Sequence, residues 1–208
     1  MSNLVGEQSL HRKLANPGAL GLAAFALTTF LLSCFNAGVL VSATGKNVVF
    51  GVAYIYGGIA QLIAGVIEFL FDNIFGATAF VSYGSFWISF AYFEERFIEN
   101  YPPEIKGEIV GLYLFCWMML TLMFLLLSIK ITRAHFVLFL LLFLTFFLLV
   151  IGNFWDLNGL VRSGGWFGIL TALCAWYIML SIMSTSIIGK TILPLGIGGF
   201  NIRFLAKE

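Results

Sequence analysis

The chain has 208 residues, of which 61% are hydrophobic and 10% charged, and its mean hydropathy is +1.00. A water-soluble domain carries about 25% charged residues, so this chain has too little polar surface to hold 23 Phe and 5 Trp in water. A net charge of +1 leaves no basic surface to neutralise phosphates, which excludes a nucleic-acid partner.

In chain order, the polar opening MSNLVGEQSLHRKLANPG has neither a short apolar core nor a small-residue cleavage site, so it does not read as a signal peptide. The first apolar run, 17–44, is charge-free and longer than a bilayer needs, which predicts a tilted or partly broken helix. Asn16-Pro17 places a capping residue before proline at the first helical position. Unpaired N–H groups and the positive end of the helix dipole then point to the side where the chain starts. Further runs follow at 48–71, 76–93, 108–129, 135–154 and 164–186. Each has the length and composition of a spanning helix, whereas barrel strands would be shorter and strictly alternating. Six such spans use roughly 120 residues and leave only loops and tails.

The expectation is an all-α integral membrane protein, a six-transmembrane-helix bundle forming one domain over 1–208, with short tails at 1–15 and 190–208. With the start of the chain inside, Arg12, Lys13, Lys130, Arg133, Lys190, Arg203 and Lys207 face the cytoplasm. Lys46, Arg96, Lys106 and Arg162 then face outward. This excess places both termini in the cytoplasm, with the protein in the cell membrane. The long outer loop is acidic (Glu94, Glu95, Glu99, Glu104, Glu108) and reads as a solvated surface.

An ionisable group inside lipid is costly and marks a functional hypothesis, and Glu68 is the clear instance. Tyr54, Gln61 and Glu68 fall seven apart, on one line of an α-helix, with Gly57, Gly58 and Gly65 on or beside it. Ile55, Ile59, Leu62, Ile63, Val66 and Leu70 fall opposite, so this helix reads as pore-lining. Two further stripes, Phe25, Thr29, Leu32, Asn36 and Thr78, Ser82, Ser85, Ser89, repeat the helical step and suggest a polar pathway. Ala60 and Ala64, like Gly168 and Ala172, have the spacing of close helix packing.

Cys34, Cys116 and Cys174 lie far apart and read as small buried hydrophobes. His11 and His135 lie near helix ends and read as interfacial. With no HExxH, no GxSxG and no helix-borne pair of Asp or His, neither an enzyme nor a metal or cofactor is expected.

Asn16-Pro17-Gly18-Ala19-Leu20-Gly21-Leu22 resembles the NPAPLGL signature of the acetate uptake transporter family, the succinate–acetate permeases. The similarity continues through Tyr56-Gly57-Gly58-Ile59-Ala60-Gln61, Ala64-Gly65, Glu68 and Phe80-Val81-Ser82-Tyr83-Gly84-Ser85-Phe86-Trp87. It resumes at Ile151-Gly152-Asn153 and in Gly189-Lys190-Thr191-Ile192-Leu193-Pro194-Leu195-Gly196. It departs at Gly18 and Ala19, where the signature has Ala and Pro, and in the acidic loop.

The resemblance implies a homohexamer in which each protomer carries its own path for acetate and, in some members, succinate, by a channel or a proton-coupled mechanism. It also implies a hydrophobic constriction at Phe25, Tyr83 and Leu142. These lie seven or eight residues after Pro17, Gly76 and His135, or about 10–12 Å in at 1.5 Å per residue, so the three depths agree. Substrate-contact candidates on the two sides of that ring are Asn16, Leu20, Thr29, Gln61, Glu68 and Asn153. The competing expectation is a channel for a neutral solute such as urea or ammonia.

Overall fold

A computed structural model describes residues 15–39, 45 and 47–196. Most of the two expected tails lies outside the described residues, as do His11 and residues 40–44. Among the described residues, six helices are long and apolar enough to cross a membrane: α1 Gly18–Ala37, α2 Val48–Phe71, α3 Ile74–Arg96, α4 Pro103–Ser128, α5 Arg133–Phe154 and α6 Asn158–Ile188.

The first helix is shorter than its apolar run. Gly38 adopts φ 69°, a left-handed conformation that glycine tolerates best. Gly38 N donates to Phe35 O and Val39 N to Cys34 O, closing the last turn in the manner of a glycine cap. By contrast α3 and α4 outrun their apolar segments, because Glu94, Glu95, Glu104 and Lys106 belong to their terminal turns.

The second helix is not uniformly α. Val48–Val52 is followed by a π-helical stretch, Ala53–Ala60, then by α-helix from Gln61–Glu68 and a tight last turn, Phe69–Phe71. Bonding from i to i+5 widens each turn, so a seven-residue step no longer returns to the same face. Tyr54 therefore leaves the line of Gln61 and Glu68, and its hydroxyl donates to Glu95 Oε2 at 3.0 Å. The nearby glycines serve packing rather than a pore: a Cβ on Gly57 would lie 2.6 Å from Thr28 Oγ1, and one on Gly65 2.7 Å from Val81 N.

The helices form a ring in chain order. α1 packs on α2 and α6, α2 on α3, α4 on α5, and α5 on α6. Between α3 and α4 the ring is closed by side chains: the Phe86 ring lies 6.0 Å from that of Tyr113 and 5.2 Å from that of Trp117. Ser89 and Tyr113 share a 2.7 Å hydrogen bond across the same seam. Ile55, Ile59, Ile63 and Val66 of α2 remain exposed on the outside, as does Cys116 on α4. That exposure corrects the reading of all three cysteines as buried.

After α6, the segment Leu193–Gly196 turns back onto the bundle. Ser181 donates to Leu193 O and Tyr177 to Pro194 O. Arg133 N and Ala134 N, at the start of α5, donate to Gly196 O and Leu195 O. This strap supplies acceptors for donors that a helix N-terminus otherwise leaves unpaired.

Candidate functional site

Two helix N-termini meet on the side where α1 begins, the near side. Asn16 Oδ1 accepts from Gly18 N at 2.8 Å, and Asn73 Oδ1 accepts from Gly76 N at 3.0 Å. Asn73 Nδ2 also donates to Glu68 Oε2 at 2.7 Å. A Cβ on Gly18 would stand 3.0 Å from Glu68 Oε1, and one on Gly76 3.3 Å from Glu68 Cδ. The Glu68 carboxyl, 3% exposed, is thus wedged between two positive helix ends, each capped by an asparagine.

These residues line a near cavity of about 220 Å3, together with Leu22, Gln61, Phe139 and His135. A far cavity of about 180 Å3 is lined by Thr29, Asn36, Trp87, Glu94, Thr145 and Asn153, among others. Each is well above the ~10–15 Å3 that a single water needs. Among the described residues, Phe25, Tyr83 and Leu142 are the three that line both cavities. All three are buried, and the Phe25 and Tyr83 rings lie 5.6 Å apart.

The hydroxyl of Tyr83 is already engaged. Thr121 Oγ1 donates its single proton to Trp117 O at 2.8 Å, so in the 2.9 Å contact between Tyr83 and Thr121 the tyrosine is the donor. That leaves Tyr83 only lone pairs to offer.

Four buried polar atoms have no hydrogen-bond partner among the described residues: both amide atoms of Gln61, Thr29 Oγ1 and Trp87 Nε1. Leaving such a group unpaired costs about 1–3 kcal/mol. All of these residues line a cavity, Gln61 the near one and the other two the far one. Among the described residues neither lining contains Lys or Arg, and each contains one carboxylate, Glu68 or Glu94.

Of the sequence candidates, the structure gathers Asn16, Gln61 and Glu68 around the near cavity and Thr29 and Asn153 around the far one. Asn153 Nδ2 is held by Leu149 O at 2.8 Å. Leu20 is 40% exposed and lines neither cavity. The hydroxyl stripe of α3 also faces elsewhere: Thr78, Ser85 and Ser89 are exposed, and Ser85 bonds back to Val81 O, a local pairing that satisfies a helical hydroxyl without a pathway. Phe25, Thr29, Leu32 and Asn36 do share the far cavity.

His135 is both at a helix start and part of the near lining, where its Nδ1 lies 2.8 Å from Thr132 Oγ1. Sequence reasoning did not single out Asn73, although its place three residues before Gly76 is that of an N-cap. It also left Trp87 as one aromatic among many in an apolar helix.

A family model described as the GPR1/FUN34/yaaH family matches residues 3–195. Ammonia transport outward protein 2 of Saccharomyces cerevisiae is 45% identical over 170 residues, covering 79% of this chain and 60% of the yeast protein. The succinate-acetate/proton symporter SatP of Escherichia coli K12 is 34% identical over 184 residues, covering 88% of this chain and 96% of the bacterial one. A solved structure described as that of the bacterial acetate channel SatP superposes with a TM-score of 0.80 at 34% identity, over 88% of this chain and 100% of that one. The chain spans about 60% of the length of the yeast relatives it matches. Family match and shared fold agree over most of its length: this chain belongs to the GPR1/FUN34/yaaH family.

Proposed function

We propose that the chain is a membrane transporter for acetate and related small monocarboxylates, including succinate in the wider substrate class. The solute passes from the near cavity through a constriction at Phe25, Tyr83 and Leu142 to the far cavity. The observation that carries this reading is that, among the described residues, those three alone line both cavities. The bacterial relatives, an acetate channel and a succinate-acetate/proton symporter by name, support the substrate class.

An apolar ring suits a methyl group and resists a hydrated ion, because stripping water from a full charge is expensive. A carboxylate can be met by Asn16 and Gln61 on the near side and by Thr29 and Asn153 on the far side. Glu68 is the group placed to exchange a proton with the solute if transport is proton-coupled. In a channel, flux follows the membrane potential and Glu68 only holds the ends of α1 and α3 together. The single transporting unit lies in the cell membrane with both termini cytoplasmic, as the excess of Lys and Arg on the near side implies. Six protomers form a homohexamer, the exposed apolar faces of the bundle meeting lipid or a neighbour.

The test is uptake of radiolabelled acetate into liposomes holding the purified protein, with and without an inward proton gradient, against empty liposomes. Flux above the empty control is expected; accumulation that a protonophore collapses identifies symport, and flux that only equilibrates identifies a channel. Flux no greater than the control would overturn the reading.

Two observations favour a second solute, ammonia: His135 lines the near cavity, and a yeast relative carries an ammonia transport name. Methylammonium uptake in the same liposomes, with acetate flux absent, would select it.

A further inference from the structure

His135 stands in the first turn of α5, and its surroundings hold that turn in place. The three amides that open the helix all find acceptors outside it. Arg133 N and Ala134 N donate to Gly196 O and Leu195 O of the strap, and His135 N donates to Thr132 Oγ1 at 3.2 Å. The Cys174 thiol of α6 lies 3.7 Å from Ala134 O. The imidazole is thus carried by a turn pinned from the strap, from α6 and from its own cap.

The ring is bonded on one side only. Thr132 Oγ1 lies 2.8 Å from Nδ1, and among the described residues its hydroxyl proton has no other acceptor. Thr132 therefore donates to Nδ1, which makes the imidazole neutral with its proton on Nε2. Nε2 has no hydrogen-bond partner among the described residues, and His135 lines the near cavity. A protonated ring keeps the same neighbour: with two lone pairs, Thr132 Oγ1 can accept from His135 N and from Nδ1–H together. One hydroxyl serves both charge states, so the ring takes up a proton without leaving its place.

The charged and titratable groups around it are few. Glu68 of α2 and Tyr83 of α3 share the near lining. From α6 come Cys174 and Tyr177, engaged with Ala134 O and Pro194 O. Arg133, Lys130 and Asp72 are exposed, and the strap and the near halves of α1 and α4 bring none. Glu68 is occupied by Asn73 and by the starts of α1 and α3. A carboxylate entering this cavity adds a second negative charge, and burying an unpaired charge is costly. Among the described residues of the lining, His135 is the one that can become cationic.

We infer that His135 links near-side protons to carboxylate binding: anion and proton enter the near cavity together, the proton from near-side water binding Nδ1 and the anion pairing with Nε2–H of the imidazolium. The cavity's net charge is unchanged by their joint arrival, and both leave together. This rests on the transport reading above and gives the near cavity a second titratable group beside Glu68. Acidification of the near side then tightens the cavity's hold on a carboxylate, while an uncharged solute gains nothing from it.

Two measurements test the linkage. The chain has two histidines, His11 and His135, so with 15N-labelled imidazoles the resonances that remain in His11→Gln belong to His135. At a fixed pH of about 6.5, acetate is expected to move them toward the positions of a protonated ring. Acetamide, of similar shape and uncharged, is expected to leave them in place. In proteoliposomes with equal pH on both sides, the half-saturating acetate concentration is compared at about pH 7.5 and about pH 5.5, the range in which histidine changes charge. A fall of about tenfold toward acid is expected in the wild type, the scale of one close charge pair. His135→Gln should lose that dependence, and His135→Arg, charged throughout, should keep the low value at both pH values.

Resonances that acetate leaves in place while the wild type transports it, or a His135→Gln variant with the wild-type pH dependence, overturn the role of His135 and leave the transport reading standing. Wild-type flux at the empty-liposome level overturns the transport reading; His135 then stands as a carboxylate partner only if its ring still responds to acetate. The imidazole measurement leaves His135 itself unmodified, so a variant at that position that fails to fold does not remove the test.

Discussion

Glu68 is held in place by its surroundings. Its carboxyl accepts from Asn73 and lies beside Gly18 and Gly76, at the starts of two helices. Replacing Asn73 by Ala removes the cap of α3 and the partner of Glu68 together. A loss of about 1–3 kcal/mol is expected, read as a lower Tm in detergent. Glu68→Gln can still accept from Asn73 Nδ2, so its Tm should stay near that of the wild type. If Glu68 carries the proton, the same variant abolishes proton-driven accumulation of acetate while downhill flux remains; unimpaired accumulation would leave it a purely structural role.

At this scale the sequence is legible where a residue costs something. An acid in an apolar run stands out, and Glu68 and Gln61 do line a cavity. Asn73 is masked by the turn in which it sits, and Trp87 by the aromatic helix around it. Leu20 was drawn in by the motif alone, and the structure turns it outward.

Between elements, close approach of backbone decides the packing. A Cβ on Gly165 of α6 would lie 2.8 Å from Ala37 Cα in α1, and backbone cannot rotate away as a side chain can. Gly165→Ala should therefore lower Tm, the clash outweighing the ~1 kcal/mol that alanine gains in a helix interior. A Tm at or above the wild-type value would show that α1 and α6 have room to separate.

The strap after α6 makes a second prediction. Truncation after Lys190 removes the acceptors of Arg133 N and Ala134 N, so the amides at the start of α5 should exchange hydrogen faster than in the full chain. Unchanged exchange would mean that the strap is not what satisfies them. Element positions were legible from apolar run length, because a bilayer fixes that length. The π-helical stretch was not, since i to i+5 bonding leaves no mark in hydrophobic pattern. It is the reason Tyr54 parts from Gln61 and Glu68. Nor was the orientation of α3: its regular row of hydroxyls suggested an inner face, while the cavities are lined by its Gly76, Ala79 and aromatic positions and by Glu94.

At the scale of the whole molecule, the described residues form a ring of six helices whose seam between α3 and α4 is filled by aromatic side chains, and whose centre holds two cavities with Phe25, Tyr83 and Leu142 in both linings. Composition and run length established the membrane bundle. The depth of the three ring residues was legible from helix starts, but depth does not fix which way a side chain faces; only the packed structure brings them between the same two cavities. The most direct measurement of passage through that ring is the ratio of butyrate to acetate flux in proteoliposomes holding wild-type protein or Leu142→Ala, with empty liposomes subtracted. Passage between the cavities predicts that the wild type favours acetate and that the truncated side chain shifts the ratio toward butyrate by about tenfold, the scale of one to two methylenes in a fitted apolar gap. An unchanged ratio with an unchanged acetate rate, in a variant that folds normally, would contradict it and place the route elsewhere in the protein.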